Sequence, residues 1–256
     1  MTQTKSNYLY KTLFDLRGYY TSSMQYLLII PLIWAIFFSA APIMWWIVSL
    51  FMAFILNVYG FGIGFHHTFS HKTFKFNRYI EILIMYIGTC ATLTSPLSWA
   101  IAHDSHHRYV DKEGDPHAPS ILGWKVLFFH NHKTKRPNFL TSRSLFKDKV
   151  HIWFDSHIGY WTVVLSLPII SFLLFGIYGL VFIWAIPTFY ALLTGVVFAL
   201  AHSGEINEYG HRAKNSWLLN LFSFGDGNHK LHHSNWSYTG KFHEWCALLI
   251  GKKNNT

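Results

Sequence analysis

The sequence predicts an all-α integral membrane protein, with four membrane-spanning helices folded as two hairpins and a helical cap on the cytoplasmic side. Three observations lead there. The chain is 51% hydrophobic and 19% aromatic but only 13% charged, and its mean hydropathy is +0.21, well off the usage of soluble domains. The charges are also unevenly placed. No Asp, Glu, Lys or Arg occurs between residues 18 and 71 or between residues 156 and 204, and each gap holds two crossings of roughly 20 residues. Finally, all 21 basic residues fall in the N-terminal tail, the 72–155 segment or the 205–256 segment.

Taken in order, the first apolar tract divides into spans at 25–40 and 43–65, broken at Ala41-Pro42 because proline cannot continue a hydrogen-bonded helix. Segment 79–101 is apolar enough for another span. Glu81, Thr92, Thr94, Ser95 and Pro96 interrupt it, however, and its flanks must share one side, so an interfacial or re-entrant helix is expected there. The second tract repeats the hairpin plan, with spans at 160–177 and 180–202 around the turn Gly176-Ile177-Tyr178-Gly179. The positive-inside rule then places segments 66–159 and 203–256, with both termini, in the cytoplasm. A net charge of +9 fits attraction to anionic headgroups better than nucleic-acid binding in so apolar a chain, and Lys133, Lys135 and Arg136 are expected on the membrane surface. The first 20 residues lack the basic patch and short apolar core of a secretory signal. Two cysteines, Cys90 and Cys246, are too few for a disulfide framework and read as free thiols. No long-period repeat, low-complexity run or linker divides the chain, so 1–256 is expected to form one membrane domain.

The 17 histidines carry the chemistry. Most fall in three clusters on the cytoplasmic side: HHTFSH at residues 66–71, at the end of the second span, HDSHH at 103–107 and HKLHH at 229–233. A lone His202 ends the fourth span. On a helix, an HxxHH array projects three imidazoles from one face, at i, i+3 and i+4, so each can serve one metal or bridge two. His66 and His71 lie about 140° apart on an ideal helix, so the helix is expected to end between them or the site to wrap around it. Imidazole-rich sites suit zinc, copper, nickel or iron, and the ligands alone do not choose among them. No cysteine lies near a cluster, which argues against iron-sulfur chemistry.

These motifs resemble those of the membrane fatty acid desaturases, specifically the Δ9-type branch. The second box is similar to the frame HRxHHxxxDxxxDPH, read here as His103-Asp104-Ser105-His106-His107, then Asp111, then Asp115-Pro116-His117. The first box resembles HRLWSH, and the third, Gly225-Asp226-Gly227-Asn228-His229-Lys230-Leu231-His232-His233, resembles GEGxHNxHH. Departures from that pattern are His67 for Arg, Asp226 for Glu, and Phe198 for an Asn four residues before His202.

The resemblance implies a His-rich dimetal site in the cap, with two irons held by His66, His71, His103, His106, His107, His202, His229, His232 and His233 and no catalytic side chain beyond these ligands. Zinc is able to occupy such a site in a purified sample. With Phe198 in place of Asn, one iron is expected either to keep an open position or to recruit another group such as Glu205. The reaction implied is O2-dependent insertion of a cis double bond, of the Δ9 type, into an acyl chain carried on CoA, a carrier protein or a lipid. Electrons are expected from an external donor such as ferredoxin or cytochrome b5. Removing hydrogen from an unactivated methylene exceeds what side chains can do, so a cofactor must do it. Asp111, Asp115, Asp226 and Glu205 are candidates to accept the outer N–H groups of the rings. Trp99 and Gly62 are candidate tunnel residues, although close helix packing also explains Gly60, Gly62 and Gly64. His130, His132, His151, His157, His211 and His243 are expected at the surface, and His67 and His117 as possible outer partners. The rival readings are hydroxylation, acetylenation or oxidative decarboxylation on the same scaffold, and a four-helix haem electron-transfer protein, which would need facing histidines inside the spans.

Overall fold

The computed structural model describes residues 24–91, 94–128 and 142–254. The N-terminal tail, Thr92, His130, His132, Lys133, Lys135 and Arg136 lie outside the described residues, and so do the expectations placed on them.

The protein is mostly helical. A short 3-10 turn leads into α1 (Ile29–Phe37). Residues 38–42 then leave helical geometry, with Ala40 at φ 45° and Pro42 as the cap of α2 (Ile43–Phe54), so the expected break falls where proline forces it. From Ile55 to Ser70 the same helix continues with π winding. It is followed by β1 (Phe74–Lys75), α3 (Arg78–Cys90) and α4 (Pro96–Tyr109). The expected single helix over 79–101 is therefore two helices. Ser95 caps α4 through the N–H of Ser98, and Pro96 occupies its first turn, where a missing N–H costs nothing.

After α5 (Lys149–Asp155), α6 (His157–Tyr178) runs to Gly176, whose φ of 60° and ψ of −146° break the helix at the expected turn. A π stretch (Gly179–Ala185) leads into α7 (Ile186–Leu200). The cap then adds α8 (Trp217–Phe222), α9 (His229–Ser234), α10 (Lys241–Leu248) and β2 (Lys252–Lys253). β2 pairs antiparallel with β1 in the register Phe74 to Lys253.

Two helical stretches, Ile43–Ser70 (28 residues) and His157–Leu200 (44 residues), are long and apolar enough to cross a membrane. They are not the buried helices of a soluble core: Leu50, Phe51, Ile169, Ile170, Phe172 and Leu173 are all exposed, an apolar surface that belongs in lipid. The two turns meet, since the Tyr178 hydroxyl donates to the Ser39 carbonyl at 2.8 Å. Trp45 stacks on Tyr178 and Trp46 packs edge-on against Phe182. From that shared end α2 and α7 run toward His66 and His202. The 24 residues from Ile43 to His66 would cover about 35 Å as an α-helix, somewhat less with π winding and comparable to a bilayer core.

Close packing explains two of the three glycines in the π stretch. A Cβ on Gly60 would lie 2.8 Å from the Gly88 Cα of α3, and one on Gly64 would lie 2.3 Å from Ile84 Cγ2.

Candidate metal centre

The π winding settles how the first box is presented. His71 N–H donates to the His66 carbonyl at 3.1 Å, an i to i+5 bond. The hydroxyls of Thr68 and Ser70 likewise reach back five residues, to Ile63 and Phe65. A five-residue ring brings residues five apart onto one face, and the two imidazole centres stand 5.0 Å apart. The helix ends at Ser70, between the two histidines as expected, with His71 as its cap, and the π winding of its last turns sets the angle between the rings.

α4 presents the second box. Its start is anchored by Asp155, which accepts from the Ser95 and Ser98 hydroxyls. Its end carries His103, His106 and His107, all buried. The third box opens with a turn that puts Gly225 at φ 118°, a conformation that favours glycine, and α9 then delivers His229, His232 and His233.

The nine rings sort into two groups. The ligand-capable nitrogens of His66, His71, His103, His107 and His232 lie within 4.8 Å of one another, and those of His106, His202, His229 and His233 form a second such set. In the first group Nε2 faces Nε2: His66 to His232 at 2.9 Å, His71 to His103 at 2.9 Å, His107 to His103 at 3.0 Å and His232 to His107 at 3.1 Å. In the second, His202 to His229 is 2.9 Å, while His106 to His233 and His233 to His229 are each 3.2 Å.

Protons cannot satisfy these contacts. His106 Nδ1 pairs with Asp115 at 2.8 Å and His202 Nδ1 with Asp111 at 3.1 Å. Their ring protons are therefore on Nδ1, and both Nε2 atoms carry lone pairs. His233 and His229 would each have to donate Nε2–H outward, which sets two N–H groups against each other at 3.2 Å. In the first group His232 Nδ1 donates to the Tyr238 carbonyl at 3.2 Å, so its Nε2 has no proton to give to either neighbour. Converging lone pairs are satisfied by a cation, and an all-imidazole set suits a transition metal. The residues present fit such ions.

Three of the four candidate acids stand against the rings. Asp111 serves His202 and also accepts the Arg212 N–H, Asp115 serves His106, and Asp226 Oδ2 lies 3.4 Å from His66 Nδ1 and 3.5 Å from His67 Nε2. Asp111 holds its place at φ 57°, a left-handed geometry that costs of order 1 kcal/mol or more. Glu205 is exposed; it stands on the loop beyond His202, whose Nδ1 is taken by Asp111 instead. Phe198 packs edge-on against His229 at 5.3 Å.

Burial would raise the Asp226 carboxyl, but the His66 and His67 rings beside it hold it well below the ordinary carboxylate range. Asp115 and Asp111 are lowered against the same penalty, chiefly by His106 and by His202 respectively. Burial first, then the charge of neighbouring rings, pushes His71, His103, His107, His229, His232 and His233 well below the usual imidazole value. Neutral rings are what metal binding requires.

A mostly apolar cavity touches both groups. Phe61, Gly62, Trp99, Thr194 and Phe198 line it beside His66, His103, His106, His202 and His229. Trp99 stacks on His103, with centres 5.9 Å apart and planes within 12°. Gly62 both lines the cavity and admits His243, whose Cε1 would lie 2.4 Å from an added Cβ.

Three histidines expected at the surface are buried instead: His151, His211 and His243. His151 packs against Phe69, and His243 bonds to the Ser223 carbonyl. His157 is exposed as expected, His67 is fully buried and His117 is half-buried. The sequence also gave no hint of Trp236, whose ring lies 5.0 Å from that of His107, or of the Tyr238 carbonyl; a backbone acceptor carries no residue signature. Cys90 and Cys246 are free and buried.

Fold and site together define a helical, membrane-associated protein with a candidate site for transition metals built of buried imidazoles. The fatty acid desaturase model matches residues 41–238, and the chain belongs to that family, whose members are oxidoreductases. It is 28% identical to Delta-9 acyl-lipid desaturase 2 of Arabidopsis thaliana, over 80% of this chain and 68% of that protein. Identity with the sn-1 stearoyl-lipid 9-desaturase of Anabaena variabilis is 25%, covering 73% of this chain and 70% of that protein. With the acyl-CoA C20 Delta5-desaturase of Anemone leveillei it is 26%, covering 70% and 60%.

Proposed function

We propose that this protein is an O2-dependent fatty acyl desaturase that inserts a cis double bond, of the Δ9 type, through two irons held by the nine imidazoles. One iron takes His66, His71, His103, His107 and His232; the other takes His106, His202, His229 and His233. The observation that carries the reading is the convergence of Nε2 lone pairs at two neighbouring points beside an apolar cavity, in a chain of the desaturase family. Relatives named for Δ9 lipid substrates support the regiochemistry.

The chain is read as one membrane domain with four spans in two hairpins and the site on the cytoplasmic face, in keeping with the tied turns and the one-sided basic residues. Bound iron, with O2 and electrons from an external donor such as ferredoxin or cytochrome b5, supplies the oxidising power that removes two hydrogens from adjacent methylenes. The protein's part is placement. Phe61, Trp99 and Phe198 hold the acyl chain dry against both groups, while Asp115, Asp111 and Asp226 keep the ring protons of His106, His202 and His66 on the outer nitrogens so that these Nε2 atoms face inward.

The test is expression in a host lacking the activity, with mass-spectrometric mapping of double bonds and a His106→Ala control. New cis unsaturation that vanishes in the control is expected. Hydroxylated, acetylenic or chain-shortened products would replace desaturation with another oxidation. Unsaturation that persists in His106→Ala would overturn the ligand assignment.

A further inference from the structure

His211 lies on the loop between α7 and α8, outside the nine. Its Nδ1 receives the backbone N–H of Ala213 at 3.2 Å and the side-chain amide of Asn207 at 3.0 Å. The Asn207 amide cannot be flipped, because Nδ2 also donates to the Ala213 carbonyl at 2.7 Å while Oδ1 accepts the Tyr209 N–H at 2.9 Å. With two donors aimed at Nδ1, the ring is neutral and its proton sits on Nε2. That Nε2 is buried, and among the described residues no acceptor reaches it.

The ring centre of His211 stands 5.2 Å from that of His233. His233 is the member of the four-imidazole group whose Nδ1 is also buried without a partner among the described residues, whereas His106 and His202 have carboxylates. With Nε2 of His233 turned inward, its proton belongs on Nδ1. Two buried N–H donors on adjacent rings thus lack an acceptor. Buried water commonly meets such groups, and its two lone pairs suit two donors. The loop is also fixed to the site, since Arg212 N–H and His202 Nδ1 share Asp111.

We propose that His211 is a positioning residue, which with His233 holds one buried water molecule between their N–H groups and thereby fixes the ring orientation and tautomer of His233. The effect on metal binding rests on the metal-centre reading above; the tautomer of His211 does not.

The test uses the full chain, labelled with 15N-histidine and titrated with zinc. Nitrogen NMR is expected to place the His211 proton on Nε2, protected from exchange and in contact with a bound water. His211→Phe is expected to shift the His233 Nδ1 resonance and to weaken zinc roughly tenfold at one site only, the lower end of what an outer partner contributes. His211→Gln, whose amide N–H reaches the same space, is expected to restore both. A proton on His211 Nδ1, or a His211→Phe protein with an unmoved His233 resonance, would overturn the inference. So would equal weakening at both sites. If the unmodified chain takes up fewer than two zinc ions, the metal reading fails on its own, and the tautomer and the His233 response are still read in metal-free protein.

Discussion

The two imidazole groups sit side by side yet are supported differently. Two of the rings in the four-imidazole group are backed by carboxylates in hydrogen-bonding contact, Asp115 on His106 and Asp111 on His202. In the five-imidazole group, Asp226 stands further off, at 3.4 Å from His66, and His232 leans on a backbone carbonyl. The group with fewer nitrogens thus has more negative charge behind it. An acceptor on the outer nitrogen makes a ring a better donor, so the carboxylates offset the missing ligand. The two centres are expected to differ less in affinity than a count of imidazoles implies.

His106→Ala should break the comparison outright. Metal content is expected to fall from two ions to one by elemental analysis. Product should fall by more than the roughly 10- to 100-fold that loss of an outer partner costs.

Asp111→Asn and Asp226→Asn should sharpen it, each weakening only its own group by roughly 10- to 100-fold in zinc titrations. If either change weakens both groups alike, the partition of outer partners is wrong.

Acid tests both groups together. His71, His103, His107, His229, His232 and His233 are held well below the ordinary imidazole value, and His117 is lowered to about 3, in each case by burial first. The unfolded chain therefore takes up protons before the folded one does. Stability of the metal-free protein is full above about pH 6.5 and is lost as pH falls toward the folded values. The lowered carboxyls act in the same direction below their ordinary value of 3.8. Thermal melts at pH 7.5, 6 and 5 should show a progressive decline; a flat profile would mean the rings are not held neutral by burial.

Smaller effects separate the flanks. Gly62→Ala presses on His243 beside the five-imidazole group and should cost about 1–3 kcal/mol by overpacking, read as a lower melting temperature. Glu205→Gln, exposed on the four-imidazole side, should change stability by no more than about 0.5 kcal/mol and leave metal content at two.

Much of the site was legible because HxxHH obeys ordinary helical periodicity. His103, His106 and His107 need only an α-helix to share a face, and His229, His232 and His233 likewise. The first box was legible in part: the helix stops between His66 and His71 as its spacing required, while the five-residue winding of the last turns leaves no mark in a spacing set against 3.6 residues per turn. The two helix breaks were readable from Pro42 and Gly176, whose backbone preferences are local. His151, His211 and His243 were misplaced because burial depends on long-range packing that no spacing encodes. Glu205 failed for a related reason: proximity in sequence to His202 counted less than the left-handed turn that brings Asp111 across from another element.

The winding of the first box also ties two traits that a genetic change would ordinarily alter separately. Removing Thr68 would leave the two imidazoles four residues apart, a spacing an ordinary α-helix already places on one face. In the looser coil the same edit would carry His71 one step around the axis, to the other side of His66, so the spacing of the first box and the pitch of its helix together set where that ring stands.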